Sequence, residues 1–503
     1  MNILLIDPPF YRFFHYYNRY FPLGLGYLAS TLKKAGHRVT IYDADCNRGS
    51  KGMDYTRLPE KYRIYLRELQ NPENLIVKEI SEIFAKYQPV LVGITVMTPK
   101  TASAFTVAAL AKSYNKDCDV VFGGPHATLK SDEILRNCKD VDFVVAGEGE
   151  AALLDLANAL DAKRSGHSQI PKVNFNRING LSYRQGDTIV HNTTRRFVDN
   201  LDELPFPARE MLLGMDTYTS EDMGLLMGSR GCPYNCSYCA TQIWMRRVRY
   251  RSLENIIEEI RYVQQRYRTR QFTFKDDSFT VNRKRVMEFC HLLMDAGIKI
   301  NWDCNTRVDL VDSELLKTMK QAGCNSIKVG IESGSERILK LMDKGITMGS
   351  IREAAKLFRK AGIHWTAYFM MGIPTETRED IQKTVDLLHE IKPGFASIGV
   401  YEPFPGTRLF DIGVERGLVK QEMSYEDFFS YIPSDYYLKD VNRRVDTMSH
   451  DDFVKIEMQV KEVFHTYNKG VGRIFERAKA RSSVYFHNPG ILLADVKKFL
   501  GWI

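Results

Sequence analysis

Gly231-Cys232-Pro233-Tyr234-Asn235-Cys236-Ser237-Tyr238-Cys239 is the stretch around which the rest of the 503-residue chain is read. It sets three cysteines at the spacing CxxxCxxC. Thiolates at this spacing can hold one [4Fe–4S] cube, which takes four cysteine ligands when closed. A local set of three leaves one iron open, as a catalytic metal keeps an open position for its substrate. The competing readings are a structural zinc site or three unrelated thiols. Zinc wants a fourth Cys or His nearby, and neither residue occurs between Cys239 and Cys290.

Downstream of this stretch, short apolar runs alternate with helical patterns. Strands are predicted at 225–229, 271–275, 299–305, 326–331, 365–371 and 396–401. Over 253–267, Leu253, Ile256, Ile257, Ile260 and Val263 line one helix face. Asp312-Ser313 opens another helix carrying Leu315, Leu316 and Met319, with Gly323 just past its end. Six strand–helix units predict a partial (β/α)6 barrel over 216–410. Polar residues fall at each successive strand end. The cysteines follow the first strand, Asp276-Asp277 the second, Arg307 the third and Glu332-Ser333 the fourth. Gly372-Ile373-Pro374 follows the fifth and Glu402-Pro403 the sixth. In βα barrels that face carries the chemistry. A pair such as Arg307–Glu332 also reads as a plain salt bridge. Arg246, Arg247, Arg249 and Arg251 read as a solvated face or as an anion contact. Cys290 falls in a helical pattern and reads as core, Cys324 reads as structural, and Cys304 can face the barrel interior.

Upstream, residues 1–165 show the same rhythm, with strands predicted at 2–6, 38–42, 90–95, 119–122 and 142–146. Helices are predicted at 24–34, 74–87 and 101–114, and another follows the last strand at 150–160. This βαβ alternation predicts a Rossmann-like, doubly wound parallel sheet, so the fold class is α/β. Ligands of such sheets sit beyond the carboxyl ends of the strands. Dinucleotide binding needs GxGxxG after the first strand, and Asp7-Pro8-Pro9 stands there instead. A receiver domain wants a lysine after the last strand, which is absent. Two glycine pairs, Gly123-Gly124 and Gly147 with Gly149, allow close backbone approach. The aromatic loop Phe10, Tyr11, Phe13, Phe14, Tyr16, Tyr17 around His15 reads as a lid or as a packing loop. Residues 166–215 read as a linker with a small hairpin around Gln185-Gly186-Asp187, and 411–503 as a mostly helical tail. The end of the chain, 489–503, is apolar on one side and basic. It reads as a docking helix or as a helix on an anionic membrane.

The cysteine motif, with Tyr238 just before its third cysteine, resembles the radical S-adenosylmethionine (SAM) superfamily. Asp7-Pro8-Pro9, Pro22-Leu23-Gly24, Gly123-Gly124-Pro125-His126 and Gly147-Glu148-Gly149-Glu150 resemble the cobalamin-binding domain of its cobalamin-dependent, class B methyltransferase-like branch. Together the likeness covers about 400 residues. It implies a cluster held by Cys232, Cys236 and Cys239. It implies SAM contacts from Tyr238, Asp276, Asp277, Arg307, Glu332, Ser333 and Gly372. It implies cobalamin contacts from Pro9, Asp43, Asp45, Thr95, Met97, Thr98, Gly123, Gly124, His126, Gly147, Glu148 and Gly149. His126 then either touches the cofactor or only packs near it. The DxHxxG signature that supplies a histidine ligand to cobalt is missing, and Asp43-Ala44-Asp45-Cys46-Asn47 stands in its place. That implies histidine-off cobalamin, or a fold that has lost the cofactor.

The activity implied is cleavage of SAM to a 5′-deoxyadenosyl radical, hydrogen abstraction from an unactivated carbon, and methyl transfer from cobalamin. Oxidation, cyclisation or rearrangement without methylation is the alternative on the same scaffold. A non-catalytic cofactor sensor or electron carrier is the alternative of another class. No single catalytic residue is marked. The implied partners are a small-molecule or lipid-like substrate and a reductant such as flavodoxin or ferredoxin. A net charge of +8 is mild for this length and does not call for nucleic acid. Nine cysteines, three of them clustered, do not make a secreted disulfide framework. Met1 leads straight into Asn-Ile-Leu-Leu-Ile-Asp, without a basic leader, so a cytoplasmic protein with at most peripheral membrane contact is expected.

Overall fold

A computed structural model describes residues 1–15, 20–46, 58–165, 174–192, 197–487, 490, 492, 493 and 496. The chain divides into two compact units, Met1–Asp222 with Gln421–Tyr437 and Met223–Lys420 with Leu438–Ile503. Tyr16, Tyr17, Asn47 and most of 489–503 lie outside the described residues.

In the first unit, β1 (Asn2–Asp7), β2 (Arg38–Asp43), β3 (Leu91–Thr95), β4 (Asp119–Gly123) and β5 (Phe143–Val145) pair in parallel. Ile3, Leu4, Leu5 and Ile6 are all buried, as a strand covered on both faces requires. The order β2-β1-β3-β4-β5 reverses between β1 and β3, the point at which doubly wound sheets open a ligand crevice. Two antiparallel strands, β6 (Leu181–Gln185) and β7 (Thr188–His191), extend the sheet past β5. The hairpin assigned to a linker is therefore part of the sheet. Its strands satisfy the N–H and C=O groups that the edge of β5 leaves open, and they bury Leu181 and Tyr183.

The chain up to Asp222 stays with this unit. Leu213 N–H donates to Ile41 O at 2.9 Å, and the buried Arg209 guanidinium sits 5.5 Å from the Phe21 ring. The expected tail 411–503 is also divided, because Gln421–Tyr437 returns to the first unit. Tyr437 Oη donates to Glu133 at 2.6 Å, and Tyr425 and Phe428 pack on Phe105 at 5.4 and 5.6 Å. Phe10, Phe13 and Phe14 pack on Tyr62 and Tyr65, so the described part of the aromatic loop is a packing loop.

The second unit starts with β8 (Leu225–Leu226) and β9 (Ser229–Arg230), the single strand expected at 225–229 being broken at Met227-Gly228. β9 pairs with β10 (Arg249–Tyr250) as a separate antiparallel ribbon. β8 joins β11 (Gln271–Phe274), β12 (Asn301–Thr306), β13 (Cys324–Glu332), β14 (His364–Met371) and β15 (Phe395–Val400) in a parallel sheet of order β15-β14-β13-β12-β11-β8. Alternate residues along these strands, among them Phe272, Trp302, Cys304, Ile327, Val329 and Ala367, are buried. Cys304 belongs to this set: burial and the neighbouring Cys324 push its thiol well up, and it lies in the core.

The helices end where the sequence marks them. Ser252 and Asp312 accept the N–H of Asn255 and Leu315 as N-caps of Leu253–Tyr267 and Ser313–Gln321. Gly323 has φ +93°, and a Cβ there would meet Ile300 O at 2.0 Å. Helix His450–Lys469 buries Phe453, Ile456, Val460 and Phe464. Its Asn468 side chain bonds both polar backbone groups of Ala396 and so closes the free edge of β15.

The arginine run splits between solvent and interior. Arg246 and Arg247 are exposed, whereas Arg249 and Arg251 are buried. Arg251 Nη1 pairs with the buried Glu259 at 2.6 Å and donates to Met227 O at 3.0 Å.

Candidate functional site

The cysteine loop leaves β9 at Gly231, whose φ of +96° and whose Cβ position, 2.1 Å from Arg247 O, admit only glycine. Between the second and third cysteines, the buried Ser237 pins the loop. Its N–H donates to Met342 O at 2.8 Å, its Oγ to Leu341 O at 3.1 Å, and its carbonyl accepts Leu409 N–H at 2.7 Å. All three thiols are half-buried. Burial pushes Cys232 and Cys236 up, while Lys344 and Arg307 pull Cys236 down. Among the described residues no three His, Cys, Asp or Glu side chains converge on one point as a single ion demands. A cube differs from a single ion in spreading its ligands over separate irons. Three half-buried thiols on one pinned loop are the donor type that iron–sulfur clusters take.

At the end of β13, Glu332 has φ +68° and turns back. Its Oε1 accepts Tyr238 Oη at 2.9 Å and Lys344 Nζ at 2.8 Å, and Lys344 also donates to Tyr238 Oη at 2.8 Å. A Cβ on Gly330 would stand 2.1 Å from Glu332 Oε1, so glycine is what admits this contact. Arg307 pairs with Asp309 through Nε and Nη2 at 2.9 Å each. Its guanidinium carbon lies 3.7 Å from the Tyr234 ring centroid, and Nη1 reaches Cys236 Sγ at 3.9 Å. The Arg307–Glu332 salt bridge considered from sequence does not form, since each has a nearer partner of opposite charge.

Other expected SAM contacts are drawn inward. Asp276 is buried, accepts Gly228 N–H and Ser229 Oγ, and is pushed up to about 6 by burial. This pair of bonds explains the break at Met227-Gly228. Ser333 is buried, bonds Thr384 Oγ1 at 3.3 Å and accepts Ser335 N–H. Asp277 is open to solvent. Burial of part of its environment raises its carboxyl and the Gly231 N–H lowers it. Gly372 has φ +80°, and its N–H and that of Ile373 bond Glu376 Oε2 at 2.6 and 3.2 Å. Glu376 is fully buried and pushed up to about 8 by that burial.

In the first unit, the loops after β1, β2 and β3 meet at Lys100. Its Nζ lies 2.7 Å from both Asp7 and Asp45 and donates to Pro8 O at 3.1 Å. Asp43 accepts Tyr218 Oη at 2.6 Å and Asp45 N–H at 3.0 Å, and burial with Asp7 and Asp45 pushes it up to about 8. Asp45 also accepts the N–H groups of Phe10 and Arg12. Pro9 is buried and its carbonyl accepts Ser103 Oγ. Glu148 accepts Val198 N–H at 2.6 Å, and Gly149 opens helix Gly149–Arg164. These residues therefore close loops, while Thr95, Met97, Thr98, Gly123 and Gly147 stay partly open.

Gly124 has φ +96° and a Cβ space filled by Thr95 and Val96. His126 is 1% exposed. Its Nδ1 bonds Thr98 Oγ1 at 3.1 Å and its Nε2 finds no partner. Phe428 and Tyr437 flank the ring, and burial holds it down at about 3, so it is neutral. A neutral, buried ring with one orphaned nitrogen fits a polar group of a bound ligand, and the glycine turn beside it fits close approach. The strand-end residues are thus compatible with cobalamin.

A relative from Pyrococcus horikoshii, an uncharacterized methyltransferase, is 34% identical over 79% of this chain and 79% of its own length. The chain belongs to the cobalamin-binding radical SAM family. The radical SAM superfamily profile matches residues 226–388 and the B12 binding domain profile residues 13–157. The anaerobic magnesium-protoporphyrin IX monomethyl ester cyclase of Cereibacter sphaeroides is 30% identical over 77% of this chain and 60% of its own. The fold is that of the radical SAM methyltransferase TsrM from Kitasatospora setae, solved with cobalamin and a [4Fe–4S] cluster, with a TM-score of 0.62, 18% identity and coverage of 83% of this chain and 76% of that one.

As a member of this family the chain has residues of interest that its sequence did not mark. Lys344, Asp309, Ser237, Glu376 and Lys100 gain their roles only by partners distant along the chain. Only Glu376 carries a local signal, standing two residues after Pro374 in a strand-end turn.

Proposed function

We propose that this protein is a radical SAM enzyme that transfers a methyl group to an unactivated carbon of a small molecule. When bound, the cluster supplies the electron that cleaves SAM and cobalamin supplies the methyl group. The observation that carries this reading is the pinned loop of three half-buried thiols, at the strand ends of a parallel sheet, in a chain one-third identical to a methyltransferase. Cys232, Cys236 and Cys239 hold the cluster. Asp277 remains open to SAM, and Gly372, buried with its N–H on Glu376, shapes the turn beside it. Tyr238 and Glu332 are held in place by Lys344, and Asp276, Ser333 and Glu376 shape the strand-end turns behind them. His126, Gly123 and Gly124 face cobalamin, which has no histidine to ligate cobalt at the position where DxHxxG would stand. The electron comes from a flavodoxin- or ferredoxin-like donor in a cytoplasmic setting, and the basic end of the chain makes any peripheral membrane contact. No described helix is long and apolar enough to cross a membrane.

Arg307 is a positioning residue of the cluster, since its guanidinium is spent on Asp309, Tyr234 and Cys236. Hydrogen bonds to sulfur and net charge set cluster potentials. Arg307→Gln is expected to lower the reduced fraction at a fixed potential about threefold, equivalent to ~30 mV for one electron. EPR-monitored redox titration checks it, and an unmoved midpoint would remove Arg307 from this role.

The methyl-transfer reading is tested without knowing the substrate. Holoprotein is incubated with SAM bearing a deuterated methyl group, and the corrin fraction is extracted. Label in the corrin is the expected result. Corrin that stays unlabelled while SAM is cleaved supports the second reading, cyclisation or oxidation without methylation, which the cyclase relative favours.

A further inference from the structure

Helix Val471–Ala480 turns arginines inward and apolar residues outward. Arg473 and Arg477 stand one turn apart on one side of it. The Arg473 guanidinium lies 5.2 Å from the Tyr467 ring, and its Nη1 pairs with Glu476 at 2.8 Å. Arg477 donates from Nη2 to Asn468 O at 2.9 Å and lies 5.4 Å from the ring of Phe395, the first residue of β15. Both arginines are half-buried. Val471 and Phe475, also one turn apart, fall on the opposite side by the helical period. They are 84% and 72% exposed. An amphipathic helix held on a protein body ordinarily buries its apolar stripe and leaves its charges in water. Here the order is reversed.

The apolar exposure continues along the chain. Phe486, in helix Ser482–His487, is 83% exposed, and Leu492, Leu493 and Val496 are exposed as well. Cations accompany them: Lys469, Lys479 and Arg481 are all exposed. Over 461–503 the sequence carries eight Lys and Arg against Glu462, Glu476 and Asp495, and Glu476 is already paired with Arg473. Large apolar side chains exposed in series mark an interaction surface. A single helical row of them with basic residues interspersed is the pattern of a helix lying in the headgroup region of a bilayer. The excess of cations selects anionic headgroups.

We propose that the exposed side of 471–486 is an anchor for an anionic lipid surface. Val471, Phe475 and Phe486 enter the headgroup region, and Lys469, Lys479 and Arg481 meet lipid phosphates. Arg473 and Arg477 are positioning residues, holding the helix on the protein body with its apolar side outward. The proposal rests on the reading of the basic end of the chain as the place of peripheral membrane contact, and it moves that contact upstream of 489–503.

The test is vesicle co-sedimentation of the full chain, which needs no cofactor. One set of vesicles is phosphatidylglycerol mixed equally with phosphatidylcholine, and the other is phosphatidylcholine alone. Binding to the anionic set, weakened as salt is raised, is expected. Val471→Ser with Phe475→Ser is expected to lower the partition at least about tenfold. Lys469→Glu with Lys479→Glu should lower it on anionic vesicles by a similar factor. All four positions are exposed, so the variants keep the fold, which circular dichroism checks. Wild-type protein that binds neither set would overturn the proposal, as would unchanged binding in the serine pair. Equal binding to both sets would overturn the anionic assignment. A dimer in sedimentation velocity that the serine pair dissociates, without vesicle binding, would give this face to a second copy of the chain instead. Absence of SAM cleavage or of corrin label is a separate result: it strikes the chemistry and leaves the anchor standing.

Discussion

Cys236→Ala protein, reconstituted anaerobically with iron and sulfide, is expected to hold no stable four-iron cluster and to form 5′-deoxyadenosine at the rate of cluster-free protein. The loss should be on the order of 10⁴-fold or more, as for groups that act as a unit. In the proposed site each of the three thiols would hold one iron, and no further Cys or His stands between Cys239 and Cys290 to replace a missing one. Cys236 is also the sulfur that Arg307 reaches at 3.9 Å, and its neighbour Ser237 fixes the loop through three hydrogen bonds. The substitution therefore removes the ligand and leaves its frame. Cys290→Ala is the control, because Cys290 is fully buried inside helix Arg283–Asp295 and far up in pKa at about 12. That variant is expected to keep its broad charge-transfer absorption. Iron content and the ultraviolet–visible spectrum read the outcome, and a cluster of wild-type occupancy in Cys236→Ala would show that another group supplies the ligand.

Lys344→Met is expected to destabilise the second unit by about 3–5 kcal/mol, the usual consequence of stranding one half of a buried ion pair. Both partners are nearly inaccessible, with Lys344 and Glu332 each 7% exposed. Once the ammonium is gone, Glu332 Oε1 keeps only the Tyr238 hydroxyl. The Glu332 backbone, at φ +68°, is already held in a conformation that a side-chain-bearing residue rarely adopts. Adding Glu332→Gln should recover most of the loss, since no unpaired charge then remains. Urea unfolding followed by tryptophan fluorescence measures this, with Trp302 and Trp365 both buried in the second unit. A double variant no more stable than Lys344→Met would locate the cost in packing instead of charge.

Much of the architecture was legible because its signals are local. Continuous apolar runs such as Ile3–Ile6 announce strands buried on both faces, and the start at Asp312 and the stop at Gly323 sit at helix ends in both readings. The three cysteines carry their own spacing. What was hidden depends on tertiary pairing. Nothing around Lys344 tells that it meets Glu332 and Tyr238. The hairpin 181–191 reads as a free-standing ribbon until the open edge of β5 is known. Gln421–Tyr437 lies beyond the last strand of the second unit in sequence, yet its aromatic residues pack on Phe105 and His126. The arginine run shows charge but not direction, and tertiary partners such as Glu259 for Arg251 decide which members turn inward. The resemblance implies Asp43 and Asp45 as cobalamin contacts, and only the structure shows that Lys100, from the loop after β3, draws Asp45 and Asp7 together beside Asp43.

The most direct test of the account is retention of corrin by the reconstituted protein. The holoprotein is incubated with hydroxocobalamin, desalted and examined by absorption and by EPR after reduction to Co(II). The account predicts corrin co-eluting in proportion to protein, with a Co(II) spectrum free of nitrogen superhyperfine splitting. A cluster-loaded protein that retains no corrin, or a spectrum showing nitrogen coupling from a histidine ligand, would contradict it.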